Sequence, residues 1–526
     1  MQPAFRLYAR LTRRGTFLLV LALATYVVVE VVSYVQTYPD QAARERLTVF
    51  GDQPAVRMLQ GIPHAVDTIG GFVVWDGGWF MQSVIGIWAI LLVSRLLRGE
   101  EESGRAELIG AGSTSGVRLC GTGLLVLLMG CALAGLAVFV AIVVPSKDVL
   151  GALLFAGGMT GFGAVMGTAT AVAAQLVGVR RKAAALGAAF FGTAFVLRMI
   201  ANSSDARSWL GWLSPFGWMD RLRPFGENNF FVIVLYLLLA GSLGYLALAL
   251  RARRDTGSAL WSRDAEVRAR LFLLQSPIRF AWRLTWGVLL AWAIGIGLYS
   301  FFVGSLVKAM GDVLADDPTY ESYLKLIGLT KADVYGGMVA VMAVVVALVI
   351  SLYAAWRIGA VRHEEDSERA EHLLTRPLTR SRWLGGHLLL ALGSVMALSF
   401  VNALMMWIGA IVTDAPIDLA DMIGASANLL PVILLFGGIA VATFGLAPRL
   451  TIAVPAAAAA LAYVLSFAGP AIDLPGWVTG LSPFYHVALV PVADYALTQG
   501  LVMLALALAM TALGWLAFNR RDVVGA

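Results

Sequence analysis

RGEEESGRAEL runs from Arg98 to Leu108, and RHEEDSERAEH runs from Arg362 to His372. Two charged stretches this similar, each following an apolar run, point to an internal duplication, and three further matches support it. FRLYARLT at Phe5–Thr12 resembles IRFAWRLT at Ile278–Thr285, LSPF recurs at Leu213–Phe216 and Leu481–Phe484, and RRD recurs at Arg253–Asp255 and Arg520–Asp522. The four offsets are 273, 264, 268 and 267 residues, so one pattern is repeated in order along the whole chain.

Between these marks the chain is too apolar for a soluble protein. Hydrophobic residues make up 59% of 526, charged residues 14%, and mean hydropathy is +0.79. Apolar runs of membrane-crossing length predict twelve spans, at about 17–37, 78–97, 119–144, 150–177, 183–201, 230–250, 284–305, 336–356, 389–412, 425–447, 451–468 and 499–519. The expected fold is therefore an all-α polytopic membrane protein of two parallel, pseudo-symmetric six-helix halves. Residues 1–255 form the first half, 256–276 a charged linker and 277–526 the second.

The net charge of +6 gives no reason to invoke nucleic acid, because Lys and Arg are spread over short loops on one side of the spans while the acids favour the other. That bias, with Arg6, Arg10, Arg13 and Arg14 before the first span, places both termini in the cytoplasm and the chain in the plasma membrane. Cys120 and Cys131 would lie about 16 Å apart on one helix, too far for a disulfide, and read as packing residues. His64, His363, His372, His387 and His486 show no metal-ligand spacing.

The acidic loops are the features most suggestive of function: Glu100, Glu101, Glu102, Ser103, Arg105 and Glu107 in one half, and Glu364, Glu365, Asp366, Ser367, Arg369 and Glu371 in the other. Glu101 with Arg105 and Glu365 with Arg369 are spaced i,i+4, which predicts short surface helices. Acidic clusters run against the usual basic bias of cytoplasmic loops. Two copies of one suit a two-fold symmetric soluble motor that pushes on the spans.

Arg6 and Arg10, and likewise Arg279 and Arg283, share a helical face beside Phe5, Tyr8, Phe280 and Trp282, as in a helix lying at the membrane interface. Ser214, Pro215 and Phe216, with Ser482, Pro483 and Phe484, fall on the outer side before each half's last span, where a turn dipping back into the bilayer would close an exit. Glu30 and Arg198, the intramembrane charges, are expected to snorkel or to pair with one another. Gly157, Gly161, Gly163 and Gly167 fit close helix packing, and Trp75, Trp79, Trp209, Trp212, Trp218 and Trp477 an interfacial belt.

These motifs, together with FVLRMI at Phe195–Ile200 and WLSPFGWMDRLRPF at Trp212–Phe225, resemble the ABC-2-type permeases of actinobacterial polyketide-antibiotic and multidrug exporters, over essentially the whole chain. The resemblance implies an elbow helix at Arg6 and at Arg279, a coupling helix at Glu100 and at Glu364, and a short re-entrant helix at Pro215 and at Pro483. It also implies a separate ATPase subunit, acting as a homodimer and holding ATP and Mg, which agrees with the absence of GxxxxGK[ST] from this sequence. The expected cargo is a hydrophobic or amphipathic small molecule, crossing a membrane whose lipid surrounds the spans. A proton-coupled secondary transporter is the rival reading, and it lacks acidic or histidine relays at mid-membrane in this sequence. No cluster of nucleophiles or paired carboxylates suggests an enzyme.

Overall fold

The computed structural model describes residues 2–41, 44, 47, 54–110, 115–255, 257–261, 276–316, 334–366, 379–469 and 474–521. Every regular element among them is helical. The chain forms two compact units, Met1–Val267 and Arg268–Ala526.

The first unit contains α1 (Gln2–Thr37), α2 (Ile69–Ser94), α3 (Gly116–Ser146), α4 (Val149–Leu176), α5 (Arg180–Asn202), the short α6 (Pro215–Leu222) and α7 (Phe231–Ala252). The second contains α8 (Pro277–Asp316), α9 (Val334–Asp366), α10 (Arg380–Val412), α11 (Leu419–Asn428), α12 (Leu430–Leu446), α13 (Ala453–Ala468) and α14 (Leu497–Arg520). Eleven helices among the described residues are long and apolar enough to cross a membrane, with α11 and α12 counted as one. The twelfth expected span is α13, an alanine-rich helix of 16 residues, about 24 Å long against a hydrocarbon core of about 30 Å.

α4 is the most buried span and packs against α2, α3, α5 and α7. Its glycines allow that approach. A Cβ on Gly163 would lie 2.9 Å from both Cys131 Sγ and Ile85 Cγ1, and one on Gly161 would lie 2.6 Å from Tyr236 Cβ. Tyr236 also donates a 2.6 Å hydrogen bond to the Pro215 carbonyl, so anything that moves its ring disturbs α6. Gly161→Val is therefore expected to destabilise the first unit by about 1–3 kcal/mol, read as a lower melting temperature of the purified chain. The second unit is organised around α8 packed along α10 and α12 packed along α14.

The segments expected to form separate elbow helices do not do so. α1 is continuous for 36 residues and α8 for 40, about 54 and 60 Å, so Arg6, Arg10, Arg279 and Arg283 ride on extensions of the first spans. Neither segment carries an interior proline before the apolar run begins, and Gly15 lies within α1 without breaking it. Arg6 and Arg10 are exposed, whereas Tyr8 faces inward and is buried.

Candidate coupling site at the acidic loops

After α2 the helix widens into a π-turn, Arg95–Gly99, continues through Glu100–Glu102 and stops at Gly104, whose φ of +71° favours glycine. A new helix, Arg105–Gly110, begins beyond it. Because this turn separates Glu101 from Arg105, the expected i,i+4 pair does not form. Arg105 instead grips the buried Glu100 with both arms, at 2.7 and 2.9 Å. That hydrogen bond, and secondarily the carboxylate's charge, raises the Arg105 pKa.

Glu101 turns inward and is held by the arginines of the RRD region. Arg254 donates to its two oxygens at 2.7 and 3.1 Å, Arg98 donates at 2.8 Å, and Arg251 Nε lies 3.8 Å away. Further bonds fix these guanidiniums in place. Arg98 also donates to the Ala174 carbonyl and, at 2.9 Å, to that of Ser258, while Arg254 donates to Gln175 Oε1 at 2.8 Å.

The second unit repeats the arrangement. Glu365, fully buried, accepts two bonds from Arg521 at 2.7 and 2.8 Å and lies 3.0 Å from Arg362 Nη1. Arg98, Glu101 and Arg254 correspond to Arg362, Glu365 and Arg521 at offsets of 264, 264 and 267 residues. In each unit, then, one carboxylate ties the end of the second span to the chain leaving the last span. Arg362 also pairs with Asp366. Ser367, Arg369 and Glu371 lie outside the described residues, and with them the expected Glu365–Arg369 pair.

Glu365, Glu100 and Glu364 are thus buried, and the half-buried Glu101 has its side chain turned away from the surface. What the first acidic loop does present outward is Glu102, Ser103, Arg105, Glu107 and Leu108. Glu102 uses one oxygen to accept from the backbone N–H of Arg180 at 2.5 Å, placing a negative charge at the N-terminus of α5.

At the opposite end of the spans the LSPF serine bonds back, in both units, to a carbonyl 20 residues earlier. Ser214 donates to the Ala194 carbonyl at 2.5 Å and accepts from Gly217 N, and Ser482 donates to the Ala462 carbonyl at 2.6 Å and accepts from Phe484 N. Pro215 starts α6 and Pro483 starts a single 3-10 turn, positions where the missing N–H costs nothing. Phe216 packs edge-on against Phe162, Phe191 and Phe195, whereas Phe484 stacks on Phe436 and meets Tyr463 edge-on. Ala194 and Ala462 lie about 12 and 9 Å before the ends of α5 and α13, so the chain folds back along each helix.

Arg198 and Glu30 do not pair with each other. Arg198 is clamped by Asp220 of α6 through two bonds at 2.7 and 2.8 Å, and it donates to the carbonyls of Leu59 and Gln60. Asn202 completes the site with a 2.9 Å bond to Asp220. Glu30 lies beside Asp76 and Tyr26, and Gln60 donates to Asp76 at 2.9 Å. Sequence reasoning missed Asp220 and Asp76. Asp220 lies within the WLSPFGWMDRLRPF stretch, where nothing local marks it as a partner for Arg198, and Asp76 falls just before the expected start of the second span.

Long apolar helices in two units, each closed by the same ion-pair clasp at one end and the same serine–proline turn at the other, define a multi-pass membrane permease. The family model for the C-terminal domain of the multidrug efflux system permease Rv1217c matches residues 2–251 and 274–519. The chain is also 34% identical over 527 residues to the multidrug efflux system permease protein Rv1217c of Mycobacterium tuberculosis (strain ATCC 25618 / H37Rv), covering 98% of this chain and 94% of that protein. The chain belongs to this family of multidrug efflux permeases.

Proposed function

We propose that the chain is the transmembrane subunit of an ATP-binding-cassette exporter that expels hydrophobic or amphipathic compounds, with a separate ATPase dimer binding ATP and Mg. The observation that carries this reading is the duplicated clasp. Each acidic loop is anchored to the first turns beyond its unit's last span, so a push on the loop is transmitted to two spans at once. The acidic-loop end then faces the cytoplasm, Glu102, Ser103, Arg105 and Glu107 form the first docking surface, and the turns at Pro215 and Pro483 close the outer side. The family membership and the apolar spans support a drug-like cargo.

One observation favours a proton-driven alternative: the Glu30–Asp76 pair lies within the spans, where a proton-coupled carrier needs acids. Reversing the exposed charges separates the readings without touching the clasps. Glu102→Lys with Glu107→Lys is expected to reduce co-purification of the proposed ATPase subunit at least tenfold while the permease melts within a few degrees of wild type. Undiminished ATPase recovery would remove this loop from the interface.

A further inference from the structure

The outward side of α1 changes chemical character along its length while keeping one direction. Ala4, Tyr8, Thr12, Leu19, Leu23 and Val27 form the buried side. Arg6, Arg10, Arg13 and Arg14 are exposed on the opposite side, and their spacing gathers all four within about 100° of one another around the helix. Phe17 and Leu21, 64% and 50% exposed, continue the same stripe into the apolar part of the span.

Charge leaves this stripe unbalanced. Arg6 with Arg10 and Arg10 with Arg14 are like charges at i,i+4, Arg10 with Arg13 at i,i+3, and such pairs repel along a helix. Among the described residues no acid pairs with any of the four. The carboxylates at this end of the unit are already engaged: Glu100 by Arg105, Glu101 by Arg98 and Arg254, and Glu102 by the backbone N–H of Arg180. An outside anion is therefore the natural counter-group, and a planar guanidinium with five donors matches the oxygens of a phosphate.

Depth selects the phosphate of a lipid over one in solution. A bilayer adds a headgroup layer of about 5–7 Å on each side of its hydrocarbon core. With Phe17 among the acyl chains, Arg14 and Arg13 stand about 4.5 and 6 Å further along the axis, inside that layer. Arg10, at about 10.5 Å, reaches its outer edge, and Arg6, at about 16.5 Å, stands in water. The second unit differs at the two central positions. By the offset of 273 that relates FRLYARLT to IRFAWRLT, Arg6 and Arg10 correspond to Arg279 and Arg283, but Arg13 and Arg14 correspond to Trp286 and Gly287. Trp286 is exposed, and an indole at the interface suits any headgroup rather than an anionic one.

We propose that Arg13 and Arg14, assisted by Arg10, bind the phosphate of an anionic phospholipid, at one site per chain that belongs to the first unit. The lipid neutralises the stripe and fixes the depth at which α1 sits. The site requires only that α1 crosses the membrane, so it is independent of how transport is driven and of which partner drives it.

Native mass spectrometry of the full chain in a non-ionic detergent, titrated with phosphatidylglycerol or with phosphatidylcholine, counts the bound lipids and ranks them. Wild type is expected to bind one phosphatidylglycerol at least tenfold more tightly than phosphatidylcholine. Arg13→Gln with Arg14→Gln should weaken that first phosphatidylglycerol at least tenfold, at about fivefold for each arginine lost near the lipid surface, and leave phosphatidylcholine unchanged. Arg13→Lys with Arg14→Lys should keep most of the preference, and Arg6→Gln should alter it less than twofold. Because the glutamine pair removes repulsion and no packing, its melting temperature in lipid-free detergent should equal or exceed that of wild type, which separates lost binding from misfolding.

Equal affinity for the two lipids, a preference that survives Arg13→Gln with Arg14→Gln, or a loss just as large in Arg6→Gln overturns the site. Stabilisation by inorganic phosphate as great as by phosphatidylglycerol at the same concentration makes the occupant a soluble anion and overturns it too. Two equivalent phosphatidylglycerols per chain would overturn its confinement to the first unit.

Discussion

Glu101→Ala is expected to destabilise the first unit by about 3–5 kcal/mol, the usual cost of removing one partner from a buried ion pair. The substitution leaves Arg98, Arg254 and Arg251 crowded around an empty place, with side chains of Arg98 and Arg254 each 1% exposed. Their repulsion has no solvent to screen it. Glu365→Ala should cost a similar amount in the second unit, where Arg521 would keep only its packing over the Phe444 and Phe518 rings. The check is thermal unfolding of both variants in the same detergent, with Glu107→Ala, whose side chain is exposed, as the near-neutral comparison. If either alanine variant melts within about 2 °C of wild type, that clasp does not hold its unit together.

The second large effect is expected at Arg198 and Asp220. The pair's side chains are 2% and 13% exposed, and it fastens α6 and the Leu59–Gln60 turn to α5. Arg198→Met or Asp220→Asn alone should cost about 3–5 kcal/mol, because each strands a buried partner. The double variant should cost clearly less than the two singles together. Strict additivity in that cycle would mean the two residues act independently, contrary to the bidentate geometry.

Much of this molecule was legible in its sequence because membrane spans advertise themselves by length and apolarity, and because four repeated motifs fix the duplication. The LSPF repeat even has the same internal bonds, Ser214 to Ala194 and Ser482 to Ala462. What was not legible is which charged groups meet. The i,i+4 rule paired Glu101 with Arg105, but such surface pairs are worth only about 0.2–0.5 kcal/mol and Gly104 interrupts the helix between them. A carboxylate facing arginines more than 150 positions away carries no local signature. Asp76 was misplaced because hydropathy falls at Asp76, Gly77 and Gly78, whereas the helix starts earlier, at a Thr68 cap that accepts from Gly71 N at 3.0 Å. Arg198 was recognised as intramembrane, yet its partner is 22 positions on, in a segment with no span-like character.

In the proposed cycle, ATP hydrolysis by a partner drives cargo through this chain. Its most direct test is dye efflux from proteoliposomes holding the permease with the proposed ATPase subunit, with no proton gradient. Efflux is expected to require both proteins and hydrolysable ATP, and to fall at least tenfold with Glu102→Lys plus Glu107→Lys. Efflux by the permease alone, driven by an imposed proton gradient and indifferent to ATP, would contradict it and return the Glu30–Asp76 pair to the centre of the mechanism.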